Sequence, residues 1–157
     1  MLSEGSLAPD FKAKSDTQQE IHLSQYRGKI VILFFYPAAF TPGCTAQACG
    51  FRDIYEELLE LNAAVIGISI DGEETQQAFK SKHKFQFPLI TDTTKEISNL
   101  YGGIGRFGKK ANRITFLIDT EGKIRKIWKL TGILPQLNLR SHAKEVKKEI
   151  LELNPMT

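Results

Sequence analysis

The sequence predicts an α/β domain: a central mixed β-sheet flanked by helices and preceded by a short N-terminal β-hairpin extension. Three observations carry this. The runs KIVILFFY (29–36) and AAVIGISID (63–71) are β-branched and aromatic with almost no polar residue, as strands buried on both faces are. Segments of helical period alternate with them. Further on, RITFLID and KIRKIWKL flank the turn TEGK, the pattern of an antiparallel hairpin. Strand, helix, strand, helix, then a hairpin and a last helix stack as a sheet with helices on both faces.

The elements follow in order. DFKAKSDTQQEIHLSQY (10–26) reads as the small hairpin. Residues 29–36 form the first long strand, and Pro37 ends it, because proline lacks an N–H and restricts the residue before it. A helix over 42 to about 62 opens on Thr41 as N-cap with Pro42 in the first helical position. Residues 63–71 are a second strand, EETQQAFKSKHK (73–84) a helix, and FPLITD (87–92) a short strand. KEISNLYG (95–102) is a short helix ending near Gly102. Residues 113–119 and 123–130 make the hairpin, and 131–138 a loop. LRSHAKEVKKEILELN (139–154) closes the chain as an amphipathic helix, with Ala143, Val146, Ile150 and Leu153 on one stripe. There is no repeat or linker, and 157 residues suffice for one sizeable core, so 1–157 reads as a single domain.

Composition narrows the function classes. Apolar residues make up 41% and charged residues 25%, with a net charge of +3. That excess is too small to imply nucleic acid, and aromatics do not interleave with basic runs. No run approaches the ~18 apolar residues of a membrane span. The N-terminus MLSEGSLAPD has no basic start, apolar core or small-residue cleavage site. The expectation is a cytoplasmic protein, or one of an organelle stroma if the chain is a trimmed precursor.

The chain's 2 cysteines, Cys44 and Cys49, sit in VILFFYPAAFTPGCTAQACGF. In a reducing compartment such a pair is more often catalytic or metal-binding than a staple. Cys44 falls at the third helical position, beside unpaired backbone N–H groups and the positive end of the helix dipole, which favour thiolate. Cys49 lies about 140° further round the helix. Cys44 shares its face with Ala48, Phe51, Tyr55 and Leu58, which should pack inward. Cys49 shares its face with Asp53, Glu56 and Glu60, which should be wet, so it reads as the accessible partner. Residues five apart on a helix have Cα atoms roughly 8.7 Å apart, whereas a disulfide needs about 4.4–6.8 Å. A bond between them requires local unwinding. Two inert buried thiols remain an alternative. A metal clip fits poorly, with no nearby histidine to complete a four-ligand set.

Pro37, Thr41 and Cys44 keep the spacing P-x-x-x-T-x-x-C in FYPAAFTPGCTAQACGFRD. This resembles the active-site signature of the peroxiredoxins, and T-P-G-C-T-x-x-x-C resembles their bacterioferritin-comigratory, or Q-type, subfamily. The resemblance implies a thioredoxin-like fold and thiol-dependent reduction of hydroperoxides without cofactor or metal. It implies Cys44 as peroxidatic nucleophile and Cys49 as resolving cysteine. Thr41 would hydrogen-bond the thiolate and the peroxide, and Pro37 would shield the pocket. Arg113, just before TFLID, would be the arginine of the site, with Gln47 orienting it. A guanidinium beside sulfur favours the thiolate and offers donors to a peroxide oxygen. Thioredoxin or a similar dithiol would recycle a Cys44–Cys49 disulfide, and the subfamily implies a monomer. Two other readings stand beside it: a thioredoxin-like dithiol–disulfide oxidoreductase, whose usual motif is C-x-x-C, and a non-enzymatic redox sensor.

Other signals carry less. Gly103 to Gly108 satisfies G-x-G-x-x-G, but follows a helix and precedes a strand, the reverse of the dinucleotide context. The same stretch nearly forms a phosphate loop, but Lys110 stands where Ser or Thr is required. It reads instead as a glycine loop leading towards Arg113. Arg52 falls on the wetter helix flank. His22, His83 and His142 are remote from the cysteines in sequence and read as surface or packing residues. Trp128 reads as hairpin packing.

Overall fold

The computed structural model describes residues 2–102, 112–130 and 136–153, with 136–138 as backbone alone. The expectations for the Gly103–Gly108 loop and for the connection at 131–135 lie outside the described residues. Strands β1 (Lys12–Lys14) and β2 (Glu20–His22) pair antiparallel as the predicted small hairpin. The main sheet is built from β3 (Ile30–Phe35), β4 (Ala63–Ser69), β5 (Leu89–Thr91), β6 (Ile114–Ile118) and β7 (Ile124–Lys129), in the order β5-β4-β3-β6-β7. The β3, β4 and β5 pairings are parallel, and β6 and β7 run antiparallel, so the sheet is mixed.

Central β3 explains the two-faced core. Ile30, Ile32, Phe34 and Tyr36 point to one side, and Val31, Leu33 and Phe35 to the other. The first side packs under α1 (Pro42–Asp53), α2 (Tyr55–Glu60), Phe79 of α3 (Glu73–His83) and α5 (Gln136–Leu153). The second packs against Ile97 of α4 (Glu96–Leu100), Tyr101 and the N-terminal segment. Phe34 and Phe51 are both fully buried with ring centroids 4.9 Å apart, fixing α1 to the sheet. Truncating such a ring to alanine costs about 3–5 kcal/mol.

Two element boundaries differ from the sequence reading. The expected single helix over 42–62 breaks at Ile54, whose φ of −114° and ψ of 17° leave the helical region. Ile54 is 8% exposed and Leu58 fully buried. The break turns α2 over β4 so that both reach the core, a tertiary demand that overrides local propensity. The last helix begins at Gln136 rather than 139, because the apolar stripe that marks a helix starts only where α5 meets the core at Leu139 and Ala143.

Candidate active site

The site lies beyond the carboxyl end of β3. Tyr36 is fully buried; its N–H donates to Ile68 O at 3.0 Å and its hydroxyl to Gln76 Oε1 at 2.6 Å. Asp71 then gathers the loop: its Oδ2 accepts from the Ala39 N–H at 2.8 Å and from Ser69 Oγ at 2.7 Å. Phe40 takes a left-handed φ of 66°, which turns the chain into α1. Thr41 occupies the predicted N-cap position with extended backbone, but its hydroxyl donates to Ala38 O at 2.7 Å instead of capping the helix. Pro37 and Thr41 are half-buried beside the loop.

Cys44 sits in the first turn of α1 with no exposed surface. Arg113 reaches it from the start of the neighbouring strand β6. The pairing of Ile114 with Phe35 places Arg113 opposite the exit of β3, and Arg113 O accepts from the Leu130 N–H at 2.9 Å. Its guanidinium then divides its donors. Nη2 lies 3.4 Å from Cys44 Sγ, and Nη1 donates to Gln47 Oε1 at 2.8 Å. Gly43 makes room, since a Cβ there would stand 3.1 Å from Arg113 Nη2 and 3.0 Å from Leu139 Cδ1. Cys44 and Gln47, from one stretch, thus meet Arg113, from another, at one end of the sheet; the Thr41 hydroxyl, expected on the Cys44 sulfur, is turned to Ala38 O instead.

Cys49 corrects the sequence reading. Asp53, Glu56 and Glu60 are exposed as expected, but Cys49 is only 4% exposed and belongs to the core. The end of α3 covers it: His83 Nδ1 lies 3.9 Å from Cys49 Sγ. Helical phase cannot register a partner that arrives from another element. A surface pocket of about 300 Å³ opens beside the sulfur, lined by Phe40, Pro42, Cys49, Lys82, His83 and Arg140. Burial pushes the Cys49 thiol up, opposed by Arg52 and Arg140 and reinforced by Asp53. Burial, with Lys82 and Arg52, pushes His83 down, so its ring is neutral at physiological pH.

His83 itself is held from three sides. Its ring stacks on Phe85 at 5.6 Å and stands edge-on to Phe79 at 5.5 Å. Its backbone carbonyl accepts from Arg52 Nη1 at 3.0 Å. Arg52 otherwise pairs with Asp53 at 2.9 Å. Among the described residues, no three His, Cys, Asp or Glu side chains group as a metal site would require. Sequence reasoning missed His83 as a neighbour of Cys49, and no motif marks it. It also passed over His142 and Thr115, both buried. The only hint of them was a hydroxyl inside the apolar run TFLI and a histidine beside the buried stripe of the last helix.

The AhpC/TSA family model matches residues 5–127. Peroxiredoxin Bcp of Bacillus subtilis is 36% identical over 156 residues, covering 96% of each chain. The chloroplastic peroxiredoxin Q of Suaeda salsa is 40% identical over 128 residues, 81% of this chain and 60% of that protein. The crystal structure of peroxidoxin BcpB from Mycobacterium tuberculosis superimposes with a TM-score of 0.87 at 32% identity, covering 98% of this chain and 99% of the other.

Proposed function

The chain belongs to the AhpC/TSA family of thiol-dependent peroxidases, and we propose that Cys44 is its peroxidatic nucleophile and Cys49 its resolving thiol. The observation that carries this assignment is the Arg113 guanidinium 3.4 Å from a fully buried Cys44 sulfur in the first turn of a helix. The guanidinium and the unpaired N–H groups of the first turn place donors and positive charge at that sulfur.

In the first step the Cys44 thiolate attacks the terminal oxygen of a hydroperoxide. The S–O bond forms as the O–O bond breaks, and the leaving oxygen takes a proton to depart as water or an alcohol. Cys44 becomes a sulfenic acid. Thr41 spends its proton on Ala38 O, so its oxygen is left to accept from the peroxide O–H. Arg113 supplies donors where negative charge develops. Pro37 walls the loop side. In the second step α1 unwinds locally to bring the two sulfurs together, and Cys49 attacks the Cys44 sulfenic sulfur. His83 takes the Cys49 proton and returns it to the departing hydroxide, so one disulfide and one water result. Thioredoxin or a similar dithiol then restores both thiols by exchange.

The cycle closes within one chain, which supports a monomer. It needs a reducing surrounding, as in cytoplasm or an organelle stroma. Among the described residues no helix is long and apolar enough to cross a membrane. The test is hydrogen peroxide consumption with a thioredoxin system. Cys44→Ser should abolish it. Cys49→Ser should turn over once and leave a trappable sulfenic acid. Undiminished turnover in Cys44→Ser would overthrow the assignment.

A further inference from the structure

Behind Gln47 the polar contacts continue into the core. Gln47 is fully buried, and its Nε2 donates to Thr115 Oγ1 at 3.4 Å. Thr115, also fully buried, lies on β6 with its Oγ1 3.0 Å from Nε2 of His142 on α5. His142 is 1% exposed, standing edge-on to Phe51 at 5.9 Å and to Trp128 at 5.4 Å. Its Nδ1 has no hydrogen-bond partner among the described residues. A hydroxyl and an imidazole in such a place are costly where Val and Phe would pack without loss.

The direction of the bonds explains their presence. Arginine has only donors, so its bond to Gln47 must end on the amide oxygen. The amide NH₂ then faces Thr115, whose oxygen accepts and whose O–H must go onward. His142 Nε2 receives it, which requires a neutral ring protonated on Nδ1. Burial together with Arg113 holds His142 neutral. The series therefore runs donor to acceptor from Arg113 through Gln47 and Thr115 to His142, each bond polarising the next. Were Nε2 a donor, Thr115 Oγ1 would accept from Gln47 and His142 together, and its own O–H would be left without an acceptor among the described residues.

We propose that Thr115 and His142 are positioning residues for the peroxide step: they fix the Gln47 amide so that Arg113 keeps Nη1 on its carbonyl and Nη2 on Cys44 Sγ. This rests on the assignment of Cys44 as nucleophile.

The test uses Thr115→Val, which keeps shape and removes the hydroxyl, Thr115→Ser, which restores it, and His142→Phe, which keeps a ring without an acceptor. Each is made in the native and Arg113→Ala backgrounds. Cys44 oxidation by hydrogen peroxide is followed through the fluorescence of Trp128, the chain's 1 tryptophan, and by mass, alongside the pH dependence of Cys44 alkylation. Thr115→Val and His142→Phe should each slow oxidation about three- to thirty-fold, an effect inside the coupling range for residues of one hydrogen-bond network. Both should move alkylation to higher pH. Thr115→Ser should retain the native rate, and neither slowing variant should add to Arg113→Ala. Native rates and profiles in folded Thr115→Val or His142→Phe would overturn the proposal. So would equal slowing in both backgrounds, which marks a general packing effect. If one variant does not fold, the other decides. Peroxide consumption that survives Cys44→Ser would defeat the parent assignment itself, an outcome distinct from either of these.

Discussion

His83 Nδ1 lies 3.9 Å from Cys49 Sγ, although 34 residues separate them in the chain. Because burial pushes this thiol up while the imidazole stays neutral, the pair is an acid with its base alongside. His83→Gln should therefore prolong the Cys44 sulfenic acid by about a hundredfold at neutral pH, a typical general-base contribution. Trapping with a dimedone probe after one equivalent of peroxide measures this. The first oxidation should keep its rate. An unchanged sulfenic acid lifetime would remove His83 from the second step.

Arg113→Ala should slow Cys44 oxidation by about a hundredfold, the usual loss when a donor to developing charge is removed. Arg113→Lys should restore only part of the rate, because one ammonium cannot serve Gln47 and the sulfur together as the planar fork does. Stopped-flow oxidation kinetics decide it. Full activity in the lysine variant would contradict the division of donors described above.

Stability should depend on the buried histidine of α5. Burial and the Arg113 charge hold His142 at about 4, against 6.5 for the free side chain. The unfolded chain thus binds this proton more readily than the native one. The stabilisation is complete above pH 6.5 and is lost as the pH falls towards 4, in all about 3 kcal/mol. Urea unfolding across that window should show the decline, and His142→Phe should flatten it. An equal slope in both proteins would disprove the assignment.

Gly50 of α1 lies directly against the Arg140 carbonyl of α5, where a Cβ would overlap backbone. Alanine is worth about 1 kcal/mol over glycine in a helix interior, but this neighbour cannot rotate aside. Overpacking costs about 1–3 kcal/mol or more, so Gly50→Ala should be net destabilising. A raised denaturation midpoint would show that α5 yields more readily than its packing implies.

Local rules made much of this molecule legible. The strand runs, the start of α1 at Thr41 and Pro42, and the helical position of Cys44 all follow from near neighbours, and the peroxiredoxin-like spacing drew in Arg113 from 69 residues away. What escaped was set by distant elements. Cys49 has the phase of an exposed residue and is buried only because His83 and Arg140 close beside it. Ile54 breaks a helix that its own neighbours would continue. His142 looked like simple packing, because its hydrogen bond runs to a strand 27 residues earlier.

The pairing of β3 with β6 has a consequence for the chain's own synthesis. Cys44 emerges early, but its guanidinium arrives only when Ile114 has been laid beside Phe35. Until that strand is in place the sulfur has no cation and no fixed pocket. A nascent or half-folded chain therefore carries an ordinary cysteine, slow towards oxidants. On the proposed assignment of Cys44, reactivity towards peroxide would be switched on only by completion of the sheet.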